Sequence, residues 1–188
     1  MTSTPLDLGR PIAGDVVELI LDDHRRFETL LRQLRDSSSD RDAVRRAFAA
    51  LHVAHAEAEE LCVYPTLRTK RAIDAHEQEH GEEEHAEINE ALVAFLEAKG
   101  TDTEKYDTAL EELATVLNHH LTEEELTILN PARSDVSAKV RAELGLAFVT
   151  ERAAQLDADC GRIDNVRAIV ARAEKEGVLP PDDEDEDD

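Results

Sequence analysis

The chain has 188 residues, 41% of them hydrophobic, with 3% aromatic residues, no tryptophan and a formal net charge of −23. This length fits one domain, or one domain with an appendage. So negative a surface argues against nucleic acid and membrane as partners, and it attracts cations. No apolar run approaches the roughly 18 residues that span a bilayer, and no signal-peptide pattern opens the chain. With only two cysteines, we expect a cytoplasmic protein.

Four successive segments between residues 14 and 132 carry apolar residues at steps of three and four, which is typical of amphipathic helices. The first stripe contains Val17, Ile20, His24, Phe27, Leu31 and Leu34, and the second contains Val44, Phe48, Leu51, His55, Glu59 and Cys62. The third, in a helix from about residue 71 to Lys99, contains His85, Ile88, Leu92 and Phe95, and the fourth contains Tyr106, Leu110, Leu113, Leu117, His120 and Glu124.

Proline residues and short connections indicate how these segments are arranged. We expect Pro65 to kink or end the second helix and Pro131 to end the fourth. Because the connections are short, consecutive helices should run in opposite directions. The sequence therefore predicts an all-α fold, an antiparallel up-down-up-down four-helix bundle over residues 14–132, with one or two extra C-terminal helices.

The remainder of the chain contains no histidine. Its apolar periodicity predicts helices over about 134–158 and 162–176, so we interpret 133–177 as a C-terminal helical extension. This extension would pack on the bundle or on a partner, and it could form a homodimer. Residues 178–188 end in seven consecutive acids and have almost nothing to bury, which predicts a disordered acidic tail.

All eight histidines lie between residues 24 and 120, and each of the four predicted helices has at least one. Glu59 follows His55 by four residues, and Glu124 follows His120 by four, so imidazole and carboxylate project from one helix face. A buried carboxylate costs several kcal/mol unless it is paired. Since no lysine or arginine occupies these stripes, a metal ion is the partner we expect.

A single histidine on a core stripe is normally a satisfied core residue, and a metal-free helical protein with surface His–Glu salt bridges is the competing hypothesis. It weakens when each of four successive core stripes contains a histidine. Histidine and carboxylate ligands inside a helical bundle suit iron, manganese or zinc, and bridging carboxylates favour a dinuclear centre.

The order His24, His55–Glu59, His85, His120–Glu124 resembles the pattern of hemerythrin-like (HHE) proteins. The string HAEAEELCVYP from residue 55 is similar to the second helix of that family, and EHAEINEAL around His85 is similar to its third helix. The resemblance covers about residues 14–132. It implies a four-helix bundle that holds two non-haem Fe ions. An oxo or hydroxo group and the carboxylates of Glu59 and Glu124 would bridge the two ions.

Two departures from the family pattern leave ligands open. The oxygen-carrying members have a second histidine on the third helix, four residues before His85, and this chain has Gly81 there. His80, Glu82 or a tyrosine could fill that gap, or glycine could keep a metal position open or let a neighbouring helix approach. Pro131 falls one residue later than the family spacing, so His119 and Glu125 are alternatives to His120 and Glu124.

The resemblance implies that the site binds or reacts with a small molecule, namely O2, H2O2 or NO. Open positions on both metals favour peroxide chemistry over oxygen carriage, so our first hypothesis is a di-iron protein that binds or turns over O2 or peroxide. As an enzyme it would be a catalase-like or peroxidase-like oxidoreductase. The alternative is a non-enzymatic oxygen, redox or nitric-oxide sensor, or an iron-storage module.

Overall fold

A computed structural model describes residues 6–179, and all regular secondary structure in that range is helical. The α-helices are α1 (Val16–Arg35), α2 (Arg41–Ala58), α3 (Tyr64–Thr69), α4 (Ala75–Glu97), α5 (Glu104–Glu124), α6 (Asn130–Asp135), α7 (Ala138–Asp157) and α8 (Ile163–Glu176). Two π-helical turns, Glu59–Val63 and Glu125–Leu129, join α2 to α3 and α5 to α6. The all-helical prediction is therefore confirmed for the described residues.

Short polar side chains define where five of these helices begin. Each accepts a hydrogen bond from a backbone N–H of the first helical turn, which would otherwise have no partner. The residues are Asp15, Asp40, Asp74, Thr103 and Ser137. For α4 this cap moves the start to Ala75, later than the predicted residue 71. Arg71 has a φ of +63°, which is incompatible with a right-handed helix.

Helices α1, α2, α4 and α5 pack as a closed ring, with contacts between α1 and α2, α2 and α4, α4 and α5, and α5 and α1. Their contacts pair the start of one helix with the end of the next. The Tyr106 hydroxyl at the start of α5 donates to the Leu34 carbonyl at the end of α1, at 3.2 Å. Arg45 near the start of α2 donates to the Ala98 carbonyl beyond α4, at 2.8 Å.

The two π-helical turns allow the helical path to continue through Pro65 and Pro131, where the sequence predicted a kink or an end. Pro65 and Pro131 each occupy the second position of the α-helix after a π-helical turn. In both turns the residue before proline donates its N–H to a carbonyl five residues back, in Glu59 and Glu125 respectively. The prediction that Pro131 ends the helix is wrong, because the helical path continues to Asp135. The wider turn relieves the clash between the proline ring and the preceding turn.

The helices after residue 135 lie on the outside of the ring. Helix α7 contacts α1, α2 and the first π-helical turn, and α8 contacts α4. Val178 and Leu179, which the sequence assigned to the acidic tail, pack beside Ala86 of α4 and Ala173 of α8. The remaining tail residues, 180–188, lie outside the described residues, and a homodimer through the C-terminal helices stays a prediction.

Two apolar clusters fill the interior. One centres on residues such as Phe27, Phe48 and Phe95, in the half where α1 ends. The other lies around the π-helical turns and includes Tyr64 and Phe148. Along α1, α2 and α5 the buried histidines and glutamates stand between these clusters, so apolar side chains close both ends of the polar layer. Within residues 6–179, no helix has the length and apolar content needed to cross a membrane.

Candidate metal centre

Six buried side chains from four α-helices and one π-helical turn meet in this polar layer, each at most 3% exposed. They are His24 of α1, His55 of α2, Glu59 of the first π-helical turn, His85 of α4, and His120 and Glu124 of α5. The structure thus brings together all six residues that the sequence singled out. Their separation along the chain reaches 100 positions, so only the closure of the helix ring places them side by side.

The six residues form two groups that share Glu59. His24, His55, Glu59 and Glu124 each offer a donor atom within 4.8 Å of one another, and Glu59, His85 and His120 do so as well. The two oxygens of Glu59 face different groups, since Oε1 lies 3.1 Å from His55 Nε2 and Oε2 lies 3.3 Å from His85 Nε2. Glu59 is thus shared by two groups of side chains, each of which could hold a cation.

Each of the four central imidazoles forms a hydrogen bond through its Nδ1 atom to a carboxylate on the side away from the centre. The pairs are His24–Glu125 at 2.8 Å, His55–Asp23 at 3.3 Å, His85–Glu60 at 2.9 Å and His120–Glu84 at 2.9 Å. Carboxylates of this kind orient metal-binding histidines and make them more basic. Asp23, Glu60 and Glu84 were not predicted from the sequence, and Glu125 was predicted only as an alternative ligand.

These four carboxylates follow one rule. Each is the chain neighbour of a central residue and reaches across to the histidine of the next helix in the ring. Asp23 beside His24 binds the histidine of α2, and Glu60 beside Glu59 binds that of α4. Glu84 of α4 and Glu125 after α5 complete the circle. Adjacent residues point about 100° apart on a helix, so one can face the centre while its neighbour faces the adjoining helix.

With its Nδ1 proton donated to a carboxylate, a neutral imidazole carries a lone pair on Nε2. All four Nε2 atoms point toward the centre. The Nε2 atoms of His85 and His120 are 3.0 Å apart, and His24 Nε2 lies 3.2 Å from an oxygen of Glu124. Lone pairs at these distances repel one another unless a proton or a metal ion lies between them.

Several central atoms also have no hydrogen-bond partner within the described part of the chain. They are Nε2 of His24 and His55, Oε1 of Glu59 and Oε2 of Glu124. An unsatisfied buried polar atom costs about 1–3 kcal/mol, and more if it is charged. Four such atoms facing one another match the donor set of a metal ion, so the residues fit the group that the motif implies.

Without a metal, the buried carboxylates attract protons instead. Burial lowers the pKa of His55, but the charge of Glu59 and the hydrogen bond to Asp23 outweigh it and raise that pKa to about 10. The pKa of His85 also rises to about 10, because Glu59 and Glu60 outweigh its burial. A metal ion at these positions would have to displace the protons.

Tyr64 adds a phenol to the centre. Its hydroxyl donates to Glu124 Oε1 at 3.0 Å and lies 3.5 Å from Glu59 Oε2, and its ring stacks on His85 with centroids 5.9 Å apart. A Cβ atom at Gly81 would lie 3.1–3.4 Å from this ring. Glycine at position 81 therefore makes room for Tyr64, in agreement with the close-packing interpretation. The hypothesis that it keeps a metal position open is not needed to explain it.

Replacing Gly81 by histidine should therefore destabilise the fold by about 1–3 kcal/mol, the usual cost of overpacking. Urea denaturation of the apo-protein measures this loss, with Glu79→His on the exposed side of the same helix as the control. In Gly81→His/Tyr64→Ala the two losses should be less than additive, since ring and imidazole compete for one volume. Additive losses would show that Tyr64 is not what the glycine accommodates.

The extension reaches this centre through α7. Arg152, only 2% exposed, donates to both oxygens of Asp23, at 2.6 and 2.9 Å, while Asp23 holds His55. Phe148, one turn earlier on α7, meets the His55 ring edge-on with centroids 5.8 Å apart. An arginine within an apolar helix pattern was the available signal for this pair, and it could not reveal which carboxylate it binds.

His52 is fully buried beside the centre without joining either group. Its ring lies 6.2 Å from the ring of His85 and 6.2 Å from that of Phe27. Burial and the neighbouring histidines lower its pKa well below the usual value, so it stays neutral. This neutral ring fills space against His85.

The alternative ligands lie elsewhere. His119 has a side chain 62% exposed and His80 one 41% exposed, and both face Glu84 and Glu123 on the outside of the α4–α5 pair. Glu125 contacts the centre only through the Nδ1 atom of His24. The structure therefore places none of these three side chains among the central donor atoms.

The chain matches the family model of the hemerythrin HHE cation-binding domain over residues 15–131. Searches of curated proteins and of solved structures found no match. The matched range begins at the cap of α1 and ends inside α6, and it contains all six central residues. The chain belongs to the hemerythrin HHE cation-binding domain family.

Proposed function

We propose that this protein binds two iron ions at the candidate metal centre and reacts there with O2 or peroxide. The single observation that carries the proposal is the pair of buried donor groups joined by Glu59. Imidazole and carboxylate donors suit iron, manganese and zinc, and carboxylates shared between two positions are the arrangement of dinuclear bundle proteins. Glu59 and Glu124 would bridge the two ions.

The same contacts support the proposed topology. His24 in the first half of α1 lies beside Glu124 at the end of α5, and Asp23 of α1 contacts His55 near the end of α2. Together with the short connections, these pairs favour an antiparallel up-down-up-down order of α1, α2, α4 and α5. Cys62 and Cys160 are both free thiols, which favours our proposal of a cytoplasmic location.

A bound iron pair would supply electron transfer to a small ligand such as O2, H2O2 or NO. The protein would orient the metal-binding side chains and keep bulk water out of the centre. The Asp23, Glu60, Glu84 and Glu125 carboxylates hold the four imidazoles in one orientation, and the apolar clusters above and below exclude bulk water.

Tyr64 would contribute a fixed proton donor. Burial and the charges of Glu124 and Glu59 raise its pKa well above the usual value, so the phenol keeps its proton at neutral pH. Its hydroxyl points at Glu124 and Glu59, the two carboxylates proposed as bridges. The phenol can therefore stabilise these carboxylates by donating a hydrogen bond, or donate to a small ligand beside them.

A second function, redox or nitric-oxide sensing, is favoured by the contact from the extension. Arg152 of α7 binds Asp23, which orients His55. A change of charge at the centre would alter the field on this buried ion pair and could be passed to α7. The chemistry at the centre is the same in both cases, and the two functions differ in whether peroxide is consumed repeatedly.

Metal analysis of protein purified without chelator tests the proposal. We expect about two irons per chain, a near-ultraviolet charge-transfer absorption under air, and catalytic loss of added H2O2. Stoichiometric zinc without iron, from iron-replete cells, would exclude the redox function. Two irons with a single-turnover spectral change, and no sustained peroxide loss, would favour the sensor.

A further inference from the structure

A second cluster of histidines and glutamates lies on the outside of the α4–α5 pair. His80 and Glu84 are four residues apart on α4, and His119 and Glu123 are four residues apart on α5, so each pair projects from one helix face. None of these residues belongs to the six central ones. The cluster repeats, at the surface, the His–x3–Glu spacing of the buried centre.

The donor atoms of the cluster converge. His80 Nε2 lies 3.0 Å from Glu123 Oε2 and 3.8 Å from Glu84 Oε1. His119 Nε2 lies 3.6 Å from Glu84 Oε1 and 3.6 Å from Glu123 Oε1. Four ligands at about 2.1 Å around a tetrahedral zinc-like ion stand about 3.4 Å from one another. The distances from the two imidazoles to Glu84 Oε1 are close to that value, whereas the imidazoles lie nearest to different oxygens of Glu123. His80, Glu84 and Glu123 each offer a donor atom within 4.8 Å of one another, and His119 lies beside this group.

One carboxylate oxygen of Glu84 is buried without a hydrogen-bond partner among the described residues. Glu84 is 6% exposed, and its Oε2 atom is occupied by His120 at 2.9 Å. Its Oε1 atom is buried and has no hydrogen-bond partner in residues 6–179, although it faces both His80 and His119. A buried, unpaired carboxylate oxygen is costly, and a cation between the two imidazoles would satisfy it.

The surroundings also favour a cation. The chain carries a net charge of −23, which raises the local concentration of divalent ions. Glu83 adds a further negative charge next to His80, with an oxygen 3.9 Å from Nδ1. Both imidazoles are partly exposed, so an ion can reach the cluster directly from solvent.

We propose that His80, Glu84, His119 and Glu123 form a separate mononuclear site for a first-row divalent cation such as Zn2+ or Fe2+. This site is distinct from the buried centre and does not depend on which metal the buried centre binds. The two sites are neighbours, because Glu84 would bind this cation through Oε1 while its Oε2 contacts His120 of the buried centre.

Equilibrium dialysis of the as-purified protein against Zn2+, followed by zinc and iron analysis, tests the site. The test variant is His80→Ala/His119→Ala. The control is His76→Ala, since His76 is exposed on the same helix and its ring stacks on His80 with centroids 6.1 Å apart. Wild type and the control should bind one more Zn2+ per chain than the double variant, with equal iron in all three.

Equal zinc in wild type and the double variant would overturn the proposal, and so would loss of iron from the double variant, which would assign these histidines to the buried centre. Loss of the extra zinc in His76→Ala would overturn it too. A wild type without iron that still shows the zinc difference would refute the proposed function and leave this site standing.

The single variant His119→Gln, at a 62% exposed side chain, should weaken Zn2+ binding at least about tenfold with unchanged helicity.

Discussion

Glu59→Gln should empty both metal positions of the buried centre, because one carboxylate serves both donor groups. The amide has nearly the same size but no charge, and its NH2 group cannot bind a metal ion. We expect iron content to fall from about two per chain to well below one. Because metal stabilises the folded state through linkage, the melting temperature should fall as well. Elemental analysis and thermal denaturation measure the two effects.

The matched control is Glu57→Gln, two residues earlier on α2, whose carboxylate pairs with Arg172 on the outside of the bundle. It should keep full iron. If Glu59→Gln retained one complete iron per chain, Glu59 would serve a single position and the bridging role would be wrong. If it retained two, the buried centre would not be the iron site.

Arg152→Met should destabilise the protein by about 3–5 kcal/mol, the usual effect of breaking a buried ion pair by removing one partner. Methionine fills similar space but leaves Asp23 without its two hydrogen bonds from the guanidinium. The carbonyls of Leu8 and Gly9 lose a donor too. Urea denaturation of the chelator-treated protein measures this effect without the contribution of metal.

A second readout separates the structural effect from the effect on the centre. Since Asp23 orients His55, Arg152→Met should also weaken iron binding about 10–100-fold, the range for partners of metal ligands. The control Arg167→Met removes an exposed pair with Glu97 and should cost less than about 1 kcal/mol. Equal losses in the two variants would mean that α7 does not support the centre.

The central residues could be found from the sequence because helical periodicity is a local property. A residue that recurs on the apolar stripe of a helix faces the interior wherever that helix packs. Histidine on four such stripes, with glutamate one turn later on two of them, therefore predicts a shared interior site before any contact is known. The carboxylates behind the imidazoles were predictable in principle, since each is the chain neighbour of a central residue.

The prolines and Gly81 show where local reasoning was insufficient. Proline ends an ordinary α-helix, but the π-helical turns before Pro65 and Pro131 let the chain continue. Gly81 suggested an open metal position, whereas the structure fills the space with Tyr64 from α3. In both cases the deciding atoms lie in a different turn or on a different helix, which residue spacing does not report.

The sequence by itself determined the all-helical fold and the six residues that meet in the buried centre, because hydrophobic periodicity and the His–x3–Glu spacing act within single helices. The order of these residues along the chain carried the resemblance to the family. Only the tertiary structure decided that Asp23 links His55 to Arg152 of the C-terminal extension. It also decided that His80 and His119 face each other's glutamates outside the centre. These contacts join residues far apart in the chain, and their partners depend on how neighbouring helices are rotated and aligned, which no single helix encodes.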